Sequence, residues 1–143
     1  MATLERAIEL AARAHAGQLD KAGELYIIHP IKVMLRVHGE AERIVAMLHD
    51  VVEDTPVTLD DLRAEGFSDL VLEAVQALTK ITGESRIDAA HRAANNTVAR
   101  QVKLADNAEN RNMSRIPNPT AADYMRLEEY KCVREILLAK EPS

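Results

Sequence analysis

Aromatic residues and cysteine are scarce in this sequence. Its 143 residues include one phenylalanine, three tyrosines and no tryptophan. The core must therefore be built from leucine, isoleucine, valine, alanine and methionine, and the abundance of alanine favours packed helices. The single cysteine, Cys132, excludes an intrachain disulfide and indicates a reducing compartment. We expect Cys132 to be a small structural residue of a late helix and not a reactive thiol.

Two other features are missing, a long apolar run and an excess of positive charge. No apolar run approaches the roughly 18 residues of a membrane span, and the charged residues Glu5, Arg6 and Glu9 are unlike a signal peptide. We therefore expect a cytoplasmic protein without a membrane partner. The net charge of -5 argues against an extended nucleic-acid partner. It is compatible with a small anionic ligand, because a bound metal and a few lysines can dominate a pocket.

Helical periodicity is the main pattern that the chain does contain. The length suits one domain over residues 1–143. Apolar spacing and capping residues predict helices over 3–16, 30–37, 41–54, a short stretch from 58, 68–79, 87–94, 96–110 and 120–139. Glycine, proline and polar residues predict loops over 17–28, 80–86 and 116–120. The fold class is therefore predicted to be an all-α bundle of about six to eight helices.

Residues 48–54, Leu-His-Asp-Val-Val-Glu-Asp, combine a histidine with three carboxylates in the predicted third helix. At helical spacing, the side chains of His49, Asp50, Glu53 and Asp54 fall on an arc of roughly 140°. Groups of these types bind metals or transfer protons. Their presence on one face is the arrangement that a metallohydrolase needs.

Asp106 points to a metal independently, from a distant segment. It shares the apolar face of its predicted helix with Val98 and Val102. A carboxylate buried there without a partner would be costly, and a cation removes that cost. The candidate ligands are then His29, His49, Asp50 and Asp106. Two imidazoles and two carboxylates suit Mn²⁺, Fe²⁺, Co²⁺ or Zn²⁺.

A metal at these residues would explain the neighbouring carboxylates. A divalent ion with an open coordination position lowers the pKa of water from roughly 15.7 to about 7. Glu53 and Asp54, one turn beyond His49 and Asp50, are placed to orient that water and carry its proton. Each residue alone has a simpler interpretation: His49 and Asp50 as solvated surface, His29 as a loop residue, Asp106 paired with an arginine. Their joint occurrence favours the metal.

Several stretches of the chain match a known pattern. They are His15-Ala16-Gly17-Gln18, Lys21-Ala22-Gly23, Tyr26-Ile27-Ile28-His29-Pro30, residues 48–54, and Val102-Lys103-Leu104-Ala105-Asp106 with Asn110. In this combination the sequence resembles the HD-domain metal-dependent phosphohydrolases, specifically the alarmone hydrolase half of the RelA/SpoT-type enzymes. The resemblance runs from His15 to about Arg134 and implies a helical HD-domain bundle.

The resemblance also implies an activity and a site. The activity is removal of the 3′-diphosphate of guanosine tetra- or pentaphosphate, which gives GDP or GTP and pyrophosphate. The implied Mn²⁺ ligands are His29, His49, Asp50 and Asp106. The residues that would assist the attacking water are Glu53 and Asp54. The implied contacts with the phosphorylated nucleotide, in which lysine supplies a point charge for phosphate, are Lys21, Tyr26, Lys103 and Asn110.

Some positions depart from the family pattern and keep alternatives open. Asp20 stands where the family has an arginine able to stack on a base, Leu25 replaces a proline, and Arg86 and Ala89 replace tyrosines. The metal positions persist while those near the base differ. One alternative is therefore a phosphatase that acts on another nucleotide, such as one that removes the 2′-phosphate of NADPH. Another is a non-catalytic nucleotide-binding module with a structural metal. The sequence leaves homo-oligomerisation open.

Overall fold

The computed structural model describes residues 2–139, which fold into helices joined by short loops. The helices are α1 Leu4–Ala14, α2 Ile28–Arg36, α3 Glu40–Leu48, α4 Val51–Asp54, α5 Leu59–Ala64, α6 Asp69–Leu78, α7 Arg86–Ala94, α8 Thr97–Asn110 and α9 Ala121–Leu138. Strand-type pairing within residues 2–139 is limited to an isolated antiparallel bridge between Leu19 and Leu25. The predicted all-α bundle is confirmed. In the same range, no helix combines the length and the apolar character needed to cross a bilayer.

Most helices begin where a capping side chain accepts a backbone N–H. Thr58 and Thr120 form reciprocal capping boxes with Asp61 and Asp123, respectively. Single side-chain caps stand at Thr3, Ser68, Ser85 and Asn96. These short-range signals explain why the predicted helix starts at 3, 68 and 120 agree with the structure.

Helix α3 lies at the centre of the larger apolar core. Its consecutive residues Ile44, Val45, Ala46, Met47 and Leu48 are all buried. A helix that is apolar on every side is typical of a central position, and α3 packs against α1, α2, α6 and α8. The rigid surroundings fix the carboxyl end of α3, which is where His49 and Asp50 follow.

The predicted continuous helix over 41–54 is interrupted at His49 and Asp50, and α4 restarts at Val51. The imidazole Nδ1 of His49 donates to the carbonyl oxygen of Ala46 at 2.6 Å. In a continuous helix that carbonyl would accept the backbone N–H of Asp50. The side chain therefore competes with the helix for the same acceptor. This break raises the number of α-helical segments in residues 2–139 to nine.

The start of α2 also differs from the prediction. A residue that precedes proline, as His29 does, is biased away from the α region, yet α2 begins at Ile28 and includes His29. Pro30 then lies in the first helical turn, where backbone N–H groups have no acceptor within the helix. The missing N–H of Pro30 consequently breaks no helical hydrogen bond, and burial of Pro30 holds the turn in place.

A second apolar cluster joins the last helices to α8. Its buried members are Ala90 and Ala94 of α7 and Val133 and Leu137 of α9. Helix α8 packs against both this pair and the central helix α3. Cys132 lies exposed on α9. Helix α8 therefore packs against both clusters, with Val102 buried in the larger one and Leu104 against the smaller one.

Arg92 ties the loop after α6 to α7. Its guanidinium donates to the carbonyl oxygens of Gln76 at 2.9 Å and Thr79 at 2.6 Å. It also donates to both carboxylate oxygens of Glu84, at 3.0 and 2.9 Å. The hydrogen bond with Arg92, helped by the backbone N–H of Ile81, lowers the pKa of Glu84 to about 2. Arg92 thus supplies a charged donor to carbonyls at the end of α6, where the regular helical hydrogen bonding stops.

We expect Arg92→Met to lower the free energy of unfolding by about 2 kcal/mol at neutral pH, because carbonyl acceptors and a carboxylate lose a charged donor. The exposed Arg63, which pairs with Asp60 on the surface, provides the matched control; Arg63→Met should have little effect. Urea unfolding measures both.

Acid should reduce the effect of Arg92→Met. The pKa of Glu84 is depressed from 4.5 to about 2 in the folded protein. The stabilisation that Glu84 contributes is therefore complete above its pKa in the unfolded protein. It is lost as the pH falls through its pKa in the folded protein. Unfolding curves near pH 3 should show a smaller difference from the wild type. An undiminished difference, or an equal effect of Arg63→Met, would contradict this role for Arg92.

Candidate metal centre and active site

The structure brings the four predicted ligands together from three parts of the fold. His29 lies in α2, His49 and Asp50 follow α3, and Asp106 lies in α8. His29 Nε2 is 2.7 Å from Asp106 Oδ1, and His49 Nε2 is 3.5 Å from the same oxygen. Donor atoms of these three residues all lie within 4.8 Å of one another. Asp50 lies next to His49, and its Oδ2 is 3.2 Å from His49 Nε2.

His49 shows that a cation fits this group. Because its Nδ1–H is committed to the carbonyl of Ala46, the neutral imidazole presents a lone pair at Nε2. That atom is buried and has no hydrogen-bond partner, while carboxylate oxygens of Asp50 and Asp106 face it. A lone pair directed at two carboxylates is repulsive, and a shared divalent cation converts the repulsion into coordination.

The electrostatics of the group favour positive charge. Burial opposes ionisation of Asp106, yet Lys103 and the histidines outweigh it and hold its pKa well below the usual range. Burial likewise opposes charging of His49, but Asp50 and Asp106 raise its pKa well above the usual value, so these carboxylates hold either a proton on Nε2 or a cation in its place. For Asp50, the nearby His49 overcomes burial and lowers the pKa to about 2. Both aspartates are therefore anionic at neutral pH, as metal ligands must be.

Tyr26 lies beside this group. Its hydroxyl donates to Asp50 Oδ2, and its ring centroid is 5.8 Å from that of His29. Burial, reinforced by the charge of Asp50, raises the pKa of Tyr26 above its usual value, so the phenol stays neutral. The residue was predicted as a substrate contact; it lines the cavity, but its polar atom is bound to a candidate ligand.

Glu53 and Asp54 lie on the solvent side of the candidate ligands. Together with Asp50 they place carboxylate oxygens within 4.8 Å of one another. The backbone N–H of Lys80 donates to Glu53 Oε1 at 2.7 Å, so the loop held by Arg92 also fixes Glu53. Burial and the charges of Asp50 and Glu53 raise the pKa of Asp54 to about 6. A carboxyl with such a pKa can accept and release protons near neutrality.

A cavity of about 430 Å³ opens over these side chains. All the predicted site residues line it except His49, which is buried. The predicted nucleotide contacts among them are Lys21, Tyr26, Lys103 and Asn110. Lys103 Nζ is 3.2 Å from Asp106 Oδ2, which places one positive charge next to the candidate ligands. A cavity of this size is in the range of small-molecule sites.

Residues 18–26 form a tight hairpin at the edge of the cavity. Asp20 Oδ1 accepts the backbone N–H groups of Ala22 at 2.8 Å and Glu24 at 3.0 Å. The backbone N–H of Tyr26 donates to the carbonyl of Gln18 at 2.8 Å. The carboxylate that replaces the family arginine therefore stabilises the turn itself.

Sequence reasoning missed the wall of the cavity that α7 and α9 supply. Arg86 lies over the ring of Tyr130, at 5.1 Å from its centroid, and pairs with Glu129. Arg126 pairs with Asp123 at 3.1 Å. The spacing of residues 123, 126 and 130 on one helical face was a usable signal, because these polar side chains interrupt the buried side of α9.

A helical bundle with a buried group of histidines and aspartates under a cavity of carboxylates and lysines defines the class of helical metallohydrolase-type domains. Within that class, the chain belongs to the HD domain family, whose model matches residues 7–123.

Relatives with assigned names support the RelA/SpoT-type resemblance. The chain is similar to the guanosine-3′,5′-bis(diphosphate) 3′-pyrophosphohydrolase of Aquifex aeolicus, with 40% identity over 82 residues, 54% of this chain and 12% of that protein. The corresponding Haemophilus influenzae protein is 41% identical over 76 residues, 50% of this chain and 11% of that one. The GTP pyrophosphokinase of Streptomyces coelicolor is 43% identical over 82 residues, which are 54% of this chain and 10% of that protein. The matched part thus spans about a tenth of these relatives.

A solved structure shares the fold. It is a metazoan ortholog of SpoT that hydrolyzes ppGpp, and it superposes with a TM-score of 0.76 over 98% of this chain and 85% of that chain. Sequence identity is 24%, so the likeness concerns the arrangement of the helices. The predicted resemblance to RelA/SpoT-type hydrolases is confirmed by these findings together.

Proposed function

We propose that residues 1–143 act as one HD-type domain that hydrolyses guanosine tetra- or pentaphosphate, releasing the 3′-diphosphate as pyrophosphate. The observation that carries this proposal is the buried Nε2 of His49, which faces Asp50 and Asp106 without a hydrogen-bond partner. Relatives with this named activity support the substrate. A cytoplasmic location belongs to the same proposal.

The proposed cation is Mn²⁺, held by His29, His49, Asp50 and Asp106. Mixed imidazole and carboxylate ligands suit such an ion. When bound, it supplies charge neutralisation for a phosphate and a water that is acidic enough to react at neutral pH. The carboxylates on the solvent side then have a defined task, which is to orient that water and to receive its proton.

Glu53 is the proposed water-orienting residue. Its Oε1 is fixed by the backbone N–H of Lys80, which leaves Oε2 for a water molecule. Asp54 is the proposed proton carrier, since burial and neighbouring carboxylates raise its pKa to about 6. Proton transfer by a positioned carboxylate typically contributes about 10²- to 10⁴-fold to a rate.

The lysines are the proposed phosphate contacts. Lys103 is held next to Asp106, so its ammonium can meet the phosphate nearest the ligands. Lys21 lies exposed on the hairpin at the edge of the cavity. Asn110 lies in the last turn of α8 and offers an amide to the nucleotide. The far wall, with Arg86 over Tyr130, is left for the nucleoside.

One observation favours a second candidate, a phosphatase that acts on a less charged nucleotide, for example by removing the 2′-phosphate of NADPH. Six carboxylates and four cationic side chains line the cavity, and both arginines among them are paired with carboxylates. A bound divalent cation would bring the net charge of these side chains only to zero. Such a site attracts a substrate with many phosphates less strongly than a basic one would.

A substrate panel decides between these functions. The Mn²⁺-loaded protein should convert ppGpp to GDP and pyrophosphate, and EDTA should abolish the reaction. Phosphate release from NADPH without cleavage of ppGpp would establish the second candidate instead. Binding of ppGpp in a calorimeter without any product would identify a non-catalytic module. Absence of both turnover and binding, with metal bound, would contradict all three assignments.

A further inference from the structure

The contact between Tyr26 and Asp50 has a geometric consequence for the metal centre. The oxygen that accepts the Tyr26 hydroxyl is Asp50 Oδ2, and the same oxygen lies 3.2 Å from His49 Nε2. Asp50 also occupies the break between α3 and α4, so the regular helix does not fix its position. The phenol therefore supplies a contact that determines where this carboxylate points.

Tyr26 acts in this contact only as a donor. A carboxylate oxygen can only accept, so the proton of this hydrogen bond belongs to the phenol. A neutral phenol that donates to one carboxylate oxygen leaves the remaining lone pairs of that carboxylate for a cation.

Tyr26 is itself held from behind. Its ring centroid is 4.9 Å from that of His15, a buried residue that ends α1. His15 Nδ1 lies 2.8 Å from Gln18 Oε1, and the backbone carbonyl of Gln18 accepts the N–H of Tyr26. One glutamine thus fixes both the supporting ring and the hairpin backbone that carries the phenol.

We propose that Tyr26 is a positioning residue that orients Asp50 for metal binding, supported by His15 and Gln18, and that it is not a substrate contact. This inference rests on the metal site of the proposed function but not on the identity of the substrate. Groups that hydrogen-bond to metal ligands typically change metal affinity by about 10- to 100-fold when they are removed.

The test is a titration of metal-free protein with Mn²⁺, in which electron paramagnetic resonance measures the concentration of the unbound ion. Tyr26→Phe should raise the dissociation constant by about 10- to 100-fold. At saturating Mn²⁺, its KM for ppGpp should equal that of the wild type. Tyr124→Phe, which alters an exposed tyrosine of α9, is the matched control and should change neither value. In EDTA all three proteins should unfold cooperatively, and Tyr26→Phe should lose no more stability than one missing hydrogen bond accounts for.

Each other result overturns the proposal in a recognisable way. Unchanged Mn²⁺ affinity with a raised KM would make Tyr26 a substrate contact. Loss of cooperative unfolding in EDTA would show a general structural role. Failure of the wild type to bind Mn²⁺ would remove the metal site and this inference together. Weaker Mn²⁺ binding by Tyr26→Phe in a protein that cleaves no ppGpp would support the inference while the substrate assignment fails.

Discussion

His49→Ala is expected to abolish tight binding of Mn²⁺ and all metal-dependent hydrolysis. His49 is the residue that faces both candidate aspartates, Asp50 at 3.2 Å and Asp106 at 3.5 Å. Its removal takes away the central nitrogen ligand, so the loss of affinity should exceed the roughly 100-fold that a supporting group contributes. Calorimetric titration of metal-free protein with Mn²⁺ measures the affinity, and the substrate panel measures the hydrolysis.

The exposed His38 and His91 are matched controls for this substitution. Alanine at either position should leave Mn²⁺ affinity and turnover unchanged, because neither side chain belongs to the His/Asp group. If His49→Ala retained the affinity and activity of the wild type, the ligand assignment would be wrong.

Glu53→Ala is expected to keep the metal and to lose hydrolysis by about 10²- to 10⁴-fold in kcat, the usual contribution of a positioned acid–base group. Glu53 lies on the exposed side of the site, outside the group formed by His29, His49 and Asp106. Its removal should therefore leave the Mn²⁺ dissociation constant unchanged. Single-turnover and steady-state rates at saturating Mn²⁺ give the loss directly.

Glu73 offers the control for a lost surface carboxylate, since it is exposed on α6. Glu73→Ala should have wild-type kcat and metal affinity. Loss of Mn²⁺ binding in Glu53→Ala would make Glu53 a ligand. Undiminished kcat would show that the water is oriented by another group, with Asp54 the first to examine.

Local signals in the sequence predicted much of the fold. Caps such as Ser68 and Thr120 act over three residues, so the sequence alone identifies them. The burial of Asp106 was also predictable, because helical spacing places it beside Val98 and Val102, and the structure leaves it 5% exposed. Both inferences depend on neighbours along a single helix.

The break after α3 could not be predicted in this way. It depends on the His49 imidazole binding the carbonyl of Ala46, a choice of side-chain rotamer that apolar periodicity does not report. The continuous helix had placed His49 and Glu53 on one face. In the structure His49 is buried against Asp106 while Glu53 is exposed, which separates the candidate metal ligands from the solvent side.

The far wall of the cavity required tertiary information. Arg86 and Tyr130 are distant in sequence and meet only because α7 packs against α9. The role of Asp20 was equally hidden, since its hydrogen bonds to Ala22 and Glu24 depend on the turn they stabilise. Residues that surround the cavity are thus less predictable than the candidate ligands, whose chemistry is visible in their residue types.

A crystal structure determined with excess Mn²⁺, using anomalous scattering at the manganese edge, tests the central claim most directly. We expect one anomalous peak bounded by His29, His49, Asp50 and Asp106, with the Tyr26 hydroxyl still on Asp50. Well-ordered side chains that point away from one another, with no peak between them, would contradict the metal centre and the hydrolase assignment that depends on it.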